Sequence, residues 1–229
     1  MLDTALMAEA FPAILAGTGT TLKLVAGALL CGIFLAVPTA LAADSRSPIL
    51  RGAAAGYVLF FRGTPLLVQI FLIYYGLGQF EAVRASIFWP ILREPWWCAL
   101  LALSLNTGAY TGEIVRGGLQ SVPSGQIEAA RAAGMSGLLL YRRIIAPIAL
   151  RQALPAYSNE VVSMIKATAL ASTITIMEIT GIARTFISQT FKPIEIFLVA
   201  GAIYLVLNFL AAQLLRALER HLSPYRRLI

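Results

Sequence analysis

Two stretches of the chain, Leu24–Ala43 and Ile196–Leu215, run without a single charge. A helix needs about 20 predominantly apolar residues to cross the hydrocarbon of a bilayer, and each stretch supplies them. Three further candidates carry isolated charges: Tyr57–Phe80 with one arginine, Pro95–Ile114 with one glutamate, and roughly Tyr157–Met177 with a glutamate and a lysine. The runs are continuous, whereas a membrane barrel needs short alternating segments. The 229 residues are 59% hydrophobic and 13% charged, a balance that would cover a water-soluble domain in exposed apolar patches. The expected fold class is an all-α membrane protein with five transmembrane helices, a single transmembrane domain over residues 1–229.

Five spans place the termini on opposite faces. With the N-terminus outside, the cytoplasmic segments collect Arg46, Arg51, Arg62, Arg116, Arg131, Arg142, Arg143, Arg151, Arg216, Arg220, Arg226 and Arg227. The outer segments then hold only Arg84, Arg93, Arg184 and Lys192. This is the positive-inside asymmetry, so the N-terminus is expected to be periplasmic and the C-terminus cytoplasmic. Lys23, near the start of the first span, snorkels outward. Phe88, Trp89, Trp96 and Trp97 supply an interfacial aromatic belt on the outer side. The net charge of +7 reads as orientation and contact with anionic lipid, not as nucleic-acid binding. The opening residues carry Asp3 and Glu9 and no base, so no cleaved signal peptide is expected. Cys31 and Cys98 lie inside apolar runs and read as packing or lipid-facing residues, not a disulfide.

The longest non-spanning stretch, a cytoplasmic loop over about 120–150, is where a partner would dock. Ser124 is placed to cap a short helix through Ile127–Ala133, with Glu128 in its first turn, where a carboxylate suits the helix dipole. Gly134 is placed to end that helix at positive φ, and a second short helix follows. Pro147 and Pro155 are expected to interrupt the chain before the fourth span. Pattern alone leaves two readings open: a compact docking knob, or a surface loop with a helical turn.

Chemistry is constrained by what the chain lacks. Its lysines are Lys23, Lys166 and Lys192, and none follows glycine, so no Walker A loop is present. There is no HExxH, the single histidine, His221, lies outside the spans, and the cysteines are far apart. An enzyme is disfavoured, no metal site is expected, and ATP-driven work requires another polypeptide. A self-contained secondary carrier or channel is the alternative. Many carriers contain two repeated halves, and no internal repeat shows here.

Glu128-Ala129-Ala130, three residues, Gly134, nine residues, Ile144, one residue, then Ala146-Pro147 resembles the EAA loop of ABC-importer permeases, with Ala146 where the signature has leucine. Arg62-Gly-Thr-Pro65 with Leu66-Leu-Val-Gln69, Asn106 to Glu113, and Leu154 to Glu160 resemble the polar amino-acid branch. With Ser172 to Ala183, the last of these resembles the M-type permeases of histidine, lysine/arginine/ornithine and octopine/nopaline importers. The likeness covers about residues 17–216. It implies a MetI-like, type I importer permease fold in a bacterial inner membrane. It implies that Glu128, Ala129, Ala130 and Gly134 couple to an ATPase subunit dimer carrying ATP and Mg, with no cofactor in this chain. It further implies a second, homologous permease subunit, a periplasmic solute-binding protein, and a polar, basic amino acid or opine as substrate.

Ionisable groups inside a membrane are costly and mark functional sites by default. Asn106, Tyr110 and Glu113 recur at i, i+4, i+7 and share one helical face; Asn159, Ser163 and Lys166 do the same, with Glu160 beside them. Thr168, Ser172 and Thr175 continue that polar stripe, and Gly108 and Gly112 allow close helix packing. These stripes are expected to line a substrate path, with Glu113 and Glu160 meeting a cation. A purely structural reading stays open for each: Glu160 neutralising Lys166 or a neighbouring arginine, Glu113 pairing with Arg116. Gly63 and Pro65 read as a hinge or, with Arg62, as an end anchor, and Pro38 carries the same choice.

Overall fold

A computed structural model describes residues 2–222. Arg226 and Arg227 of the orientation argument lie outside the described residues. Every regular element among them is helical. The chain opens with α1, Thr4–Ala16, and α2, Thr18–Ala43, which run on as one 40-residue rod. At 1.5 Å per residue that is about 60 Å, twice the hydrocarbon thickness. The helix therefore begins well before Leu24, and Lys23 lies near the middle of the rod. Asp3 caps α1, its Oδ1 accepting from Leu6 N at 3.0 Å. This helix was absent from the hydropathy reading because Asp3, Glu9 and Pro12 interrupt the apolar pattern.

The second span also differs from expectation. Tyr57–Phe80 is not one helix: α3, Pro48–Gly63, and the segment Leu66–Gln79 meet at 104°. That segment starts as α4, Leu66–Phe71, and continues through a π-helical turn, Leu72–Gly76, and a short 3-10 turn. Pro65 has no N–H to continue the ladder, and Gly63 has open space around it. Two short outer helices, α5 (Glu81–Arg84) and α6 (Trp89–Leu92), lead to α7, Pro95–Gln120.

Helix α7 is the centre of the bundle. It packs against α2, α3 and α4, and its buried surface is built largely of alanine, glycine, serine and threonine. Without a hydrophobic drive between helices in lipid, such small residues let backbones approach closely. Gly32 of α2 illustrates it: a Cβ there would lie 2.4 Å from Thr107 Cγ2. Gly108 faces Leu35 and the Tyr57 hydroxyl, and Gly112 faces Thr39, as their spacing suggested.

The inner side carries α8, Ser124–Ala132, then α9, Gly137–Leu140, and a π-helical turn, Tyr141–Ile145. The fourth long helix, α10, is Ala146–Ala167, extended by a 3-10 segment, Thr168–Ile174. Pro147 and Pro155 do not interrupt the chain ahead of this span. Pro147 follows directly on the π-helical turn within one continuous helical run, and Pro155 lies inside α10. After a 47° bend comes α11, Ile179–Thr190, a second helix the hydropathy pattern did not reveal. The chain ends its described part with α12, Pro193–Leu222. Both cysteines are free, Cys31 exposed and Cys98 buried.

Two buried clusters hold these parts. One joins α2, α4, α7 and α10 around Leu24, Ile70, Leu103 and Met164. The other joins α1, α11 and α12 around Ile14, Ile179 and Ile196. Gly17, between α1 and α2, meets the start of α11: a Cβ there would lie 2.7 Å from Ile179 N and 2.8 Å from Glu178 C. Backbone cannot swing aside as a side chain does. Gly17→Ala is therefore expected to cost about 1–3 kcal/mol and lower the unfolding midpoint in detergent. Gly19→Ala, with nothing within 4 Å, serves as control. Equal midpoints for the two variants would refute this packing.

A single ion pair clips α1 to the start of α12: Lys192 Nζ donates to Asp3 Oδ2 at 2.6 Å. That hydrogen bond holds the Asp3 carboxyl below its ordinary 3.8 and the Lys192 ammonium above its ordinary 10.5. The carboxyl is depressed, so its contribution is lost as pH falls below 3.8; the ammonium is raised, so its contribution is lost as pH rises above 10.5. Hydrogen exchange at the first turns of α1 should be slowest between those limits and faster beyond either. An unchanged rate across the acid limit in wild type would show that the clip holds nothing.

Candidate functional site

The break at Gly63–Pro65 builds the site. The helical acceptor left empty by Pro65 is Phe61 O, four residues back. It is filled twice, by Gln69 Nε2 at 3.0 Å and by Asn106 Nδ2 at 3.1 Å. Gln69 also donates to Thr64 O and Thr64 Oγ1, at 3.1 and 2.8 Å, and its own Oε1 accepts from Asn106 Nδ2 at 3.0 Å. Asn106 and Gln69 are both buried. Asn106, expected on the substrate path, is thus engaged in holding the bend.

The rest of that α7 face meets the end of α3. The Arg62 guanidinium lies over the Tyr110 ring at 5.1 Å and its Nη1 is 3.9 Å from Glu113 Oε2. Glu113 is gripped at both oxygens by Arg116, whose Nε and Nη2 donate at 3.0 and 2.9 Å. Arg116 also approaches Asp44 Oδ1 at 4.0 Å, and Gln120 donates to the same oxygen at 3.0 Å. The pairing with Arg116 that spacing allowed is present. The Tyr57 hydroxyl, donating to Leu105 O at 2.6 Å, ties α3 to α7 one turn earlier.

On α10, Glu160 Oε1 accepts from Thr107 Oγ1 at 2.7 Å. No lysine or arginine pairs with Glu160 among the described residues, so it does not neutralise Lys166. Asn159, Ser163 and Lys166 share an exposed face of α10. Ser172 and Thr175 do not continue it. They line a separate polar cup of about 240 Å³ at the 47° bend, with Arg184 and Thr185. The Thr175 backbone there is left-handed, at φ 70.

The inner knob forms as follows. The α8 N-cap is Pro123, whose side chain has no acceptor for the first helical N–H groups, and Ser124 is already inside the helix, so the expected serine cap is absent. At the other end Gly134 has φ +84, Met135 N donates to Ala130 O at 3.0 Å, and Gly134 N to Arg131 O at 2.9 Å. This is a Schellman closure, which requires a residue without the Cβ penalty at Gly134. Ala130 is buried, whereas Glu128, Ala129 and Gly134 face outward. Ala146 opens α10, directly continuous with the knob.

Three structurally engaged residues escaped the sequence reading: Gln69, Thr107 and Glu178. Glu178 is fully buried; its Oε1 caps α11 by accepting from Gly181 N at 2.8 Å, and its Oε2 accepts from the Tyr204 hydroxyl at 2.5 Å. The available signal for Gln69 was a polar residue one helical turn beyond a proline. For Glu178 it was an acid three residues before a glycine. No cluster of histidine, cysteine or carboxylates suited to a metal occurs among the described residues.

A family described as binding-protein-dependent transport system inner membrane component matches residues 28–224. The chain is 58% identical to the octopine transport system permease protein OccM of Rhizobium meliloti, over 98% of its own length and 92% of that protein. It is 55% identical to the nopaline permease protein NocM of Agrobacterium fabrum, over 99% and 94%. With the arginine ABC transporter permease protein ArtM of Escherichia coli it shares 40% identity over 96% and 99%. Among solved structures, an amino acid ABC transporter crystallised with histidines superposes at TM-score 0.85 and 35% identity, covering 96% and 99%. The inward-facing MetNI methionine transporter superposes at 0.71 over 88% and 92%; at 16% identity the likeness is one of fold alone.

The proline break makes a checkable demand. Gln69→Leu removes the donors to Phe61 O and Thr64 O and strips Asn106 of an acceptor. Leaving buried polar groups unpaired costs about 1–3 kcal/mol. The variant should unfold at lower temperature in detergent than the exposed control Val68→Leu. Matching midpoints would mean that water serves these carbonyls.

Proposed function

The chain belongs to the family of binding-protein-dependent transport system inner membrane components, and on that premise we propose that it forms the path of a five-span, N-out importer for a basic amino acid or opine. It is the permease subunit of an ABC importer in the bacterial inner membrane. The orientation is supported by contacts that need shared faces. Asp3 meets Lys192, both placed outside by the charge distribution; Asp44 meets Arg116 and Gln120 on the inner side. The substrate class is supported by the printed substrates of the similar permeases: octopine, nopaline and arginine.

One observation carries the path. Glu160 is a partly buried carboxylate with a single neutral donor, Thr107, beside the exposed Asn159 and Ser163. A carboxylate held within the bundle with no ion pair among the described residues suits a site completed by a cationic substrate. Tyr110 and Glu113 follow Thr107 along α7 at one-turn intervals and would border that site. A second permease subunit would close it, and a periplasmic binding protein would deliver substrate to it.

On the inner face, Glu128, Ala129, Ala130 and Gly134 form the joint to the ATPase dimer. Beyond the Gly134 closure, α9 and its π-helical turn run on into α10 and would transmit movement of that joint into the span as a rigid body. ATP and Mg belong to the ATPase. No observation favours a self-contained carrier or channel.

The test is reconstitution with the ATPase, second permease and binding protein in liposomes. Glu160→Gln should raise the KM for L-arginine about tenfold or more, the scale of one charge-assisted contact. Gly134→Ala, strained at positive φ, should lower ATP hydrolysis and uptake together. Wild-type KM in the first variant would remove Glu160 from the path. Full ATP-driven uptake in the second would remove Gly134 from the joint.

A further inference from the structure

The geometry around Arg62 points to a carboxylate-binding residue, and we propose that Arg62 grips the carboxylate end of the substrate while Glu160 holds its cationic end. This rests on the reading of the α7–α10 face as the path.

Arg62 stands on fixed backbone. It follows Phe61, whose carbonyl accepts from both Gln69 and Asn106, and it precedes the 104° break. Its side chain is 43% exposed and is aimed by the Tyr110 ring beneath it. Yet the guanidinium donates no hydrogen bond among the described residues. Its nearest acid, Glu113, stays 3.9 Å away, because Arg116 already occupies both Glu113 oxygens at 3.0 and 2.9 Å. Arginine presents five donors in a planar fork that fits a carboxylate at two points. Here the fork is charged, oriented by the Tyr110 ring and accessible, and its ion pair with Glu113 at 3.9 Å leaves its hydrogen-bond donors free among the described residues.

Glu160 is the complement. One of its oxygens accepts from Thr107, one helical turn along α7 from the Tyr110 ring that lies beneath Arg62, and the other has no hydrogen-bond donor among the described residues. The two groups carry opposite signs at neighbouring positions along α7 and are not joined in an ion pair among the described residues. An α-amino acid with a cationic side chain carries both signs in one small molecule and completes both groups at once. Arg116 takes both hydrogen-bonding positions of Glu113, which leaves Arg62 with only the longer ion pair to Glu113 Oε2 at 3.9 Å. The site would take a free α-carboxylate and discriminate against the corresponding amine that lacks one.

The measurement is equilibrium binding to the assembled permease–ATPase complex in detergent, without the binding protein. Three probes are used: L-arginine, its decarboxylated form agmatine, and the uncharged-side-chain analogue L-citrulline. Arg62→Gln should weaken L-arginine and L-citrulline about tenfold and leave agmatine nearly unchanged. Arg62→Lys, which keeps the charge and loses the fork, should fall between. Glu160→Gln should show the opposite selectivity, weakening L-arginine and agmatine while sparing L-citrulline. Equal weakening of L-arginine and agmatine by Arg62→Gln overturns the proposal, as does tighter L-arginine binding, which would make Arg62 an internal competitor. If Arg62→Gln separates the probes as stated but Glu160→Gln changes none, the carboxylate assignment stands and the cation assignment to Glu160 fails. Absence of saturable L-arginine binding to the wild-type complex overturns both.

Discussion

Hydrocarbon offers no partner to a backbone carbonyl, so a proline inside a membrane bundle must be answered by another part of the protein. Pro65 sets that requirement here. Gln69, one turn later in the same chain, and Asn106, from α7, answer it together at Phe61 O. The consequence is larger than one satisfied acceptor. The chain turns through 104°, α3 ends against α7 instead of running straight on, and Arg62 arrives over Tyr110 beside Glu113. A polar surface inside an apolar bundle exists because a broken helix had to be sealed there.

Helix α7 shows the same division of labour from the other side. Its apolar run, Pro95–Ile114, was legible as a span despite Glu113, yet it is more polar than α2 or α12 and does not need to be as apolar. Packed among α2, α3, α4 and α10, it contacts neighbouring backbone through glycine, alanine, serine and threonine. Lipid contact falls to other elements, such as α12, whose exposed residues include Leu205, Phe209 and Leu214. Polar contacts then pin the ends: Asp3 to Lys192, Gln120 to Asp44, and Ser158 to Glu219 at 2.6 Å.

The bundle's character and the inner knob were legible in the residues. Long charge-free runs leave little choice but helix in lipid, and Gly134 ends α8 at positive φ as its place in the pattern suggested. Helices α1 and α11 were not legible, because each is bounded or interrupted by acids whose cost is met by tertiary partners. Asp3 finds Lys192; Glu178 finds Gly181 N and Tyr204. The expected serine cap at Ser124 gave way to a helix entered from Pro123, and the prolines at 147 and 155 were absorbed into α10. Asn106 was read as a path residue from its face on α7; nothing local could show that a carbonyl emptied by Pro65, 41 positions earlier, would engage it.

Local sequence determined which segments prefer lipid, where charge collects, and that no phosphate-binding motor resides in this chain. Those properties depend on residue type and short-range spacing, and need no knowledge of neighbours. Only the tertiary structure decided which ionisable groups are spent on the fold and which are left over. Glu113 is consumed by Arg116, Glu178 by Tyr204 and a helix start, while Arg62 and Glu160 keep unused hydrogen-bonding capacity. A charge is neutralised by whatever lies within a few ångströms of it in space, and the chain sets that distance only by folding.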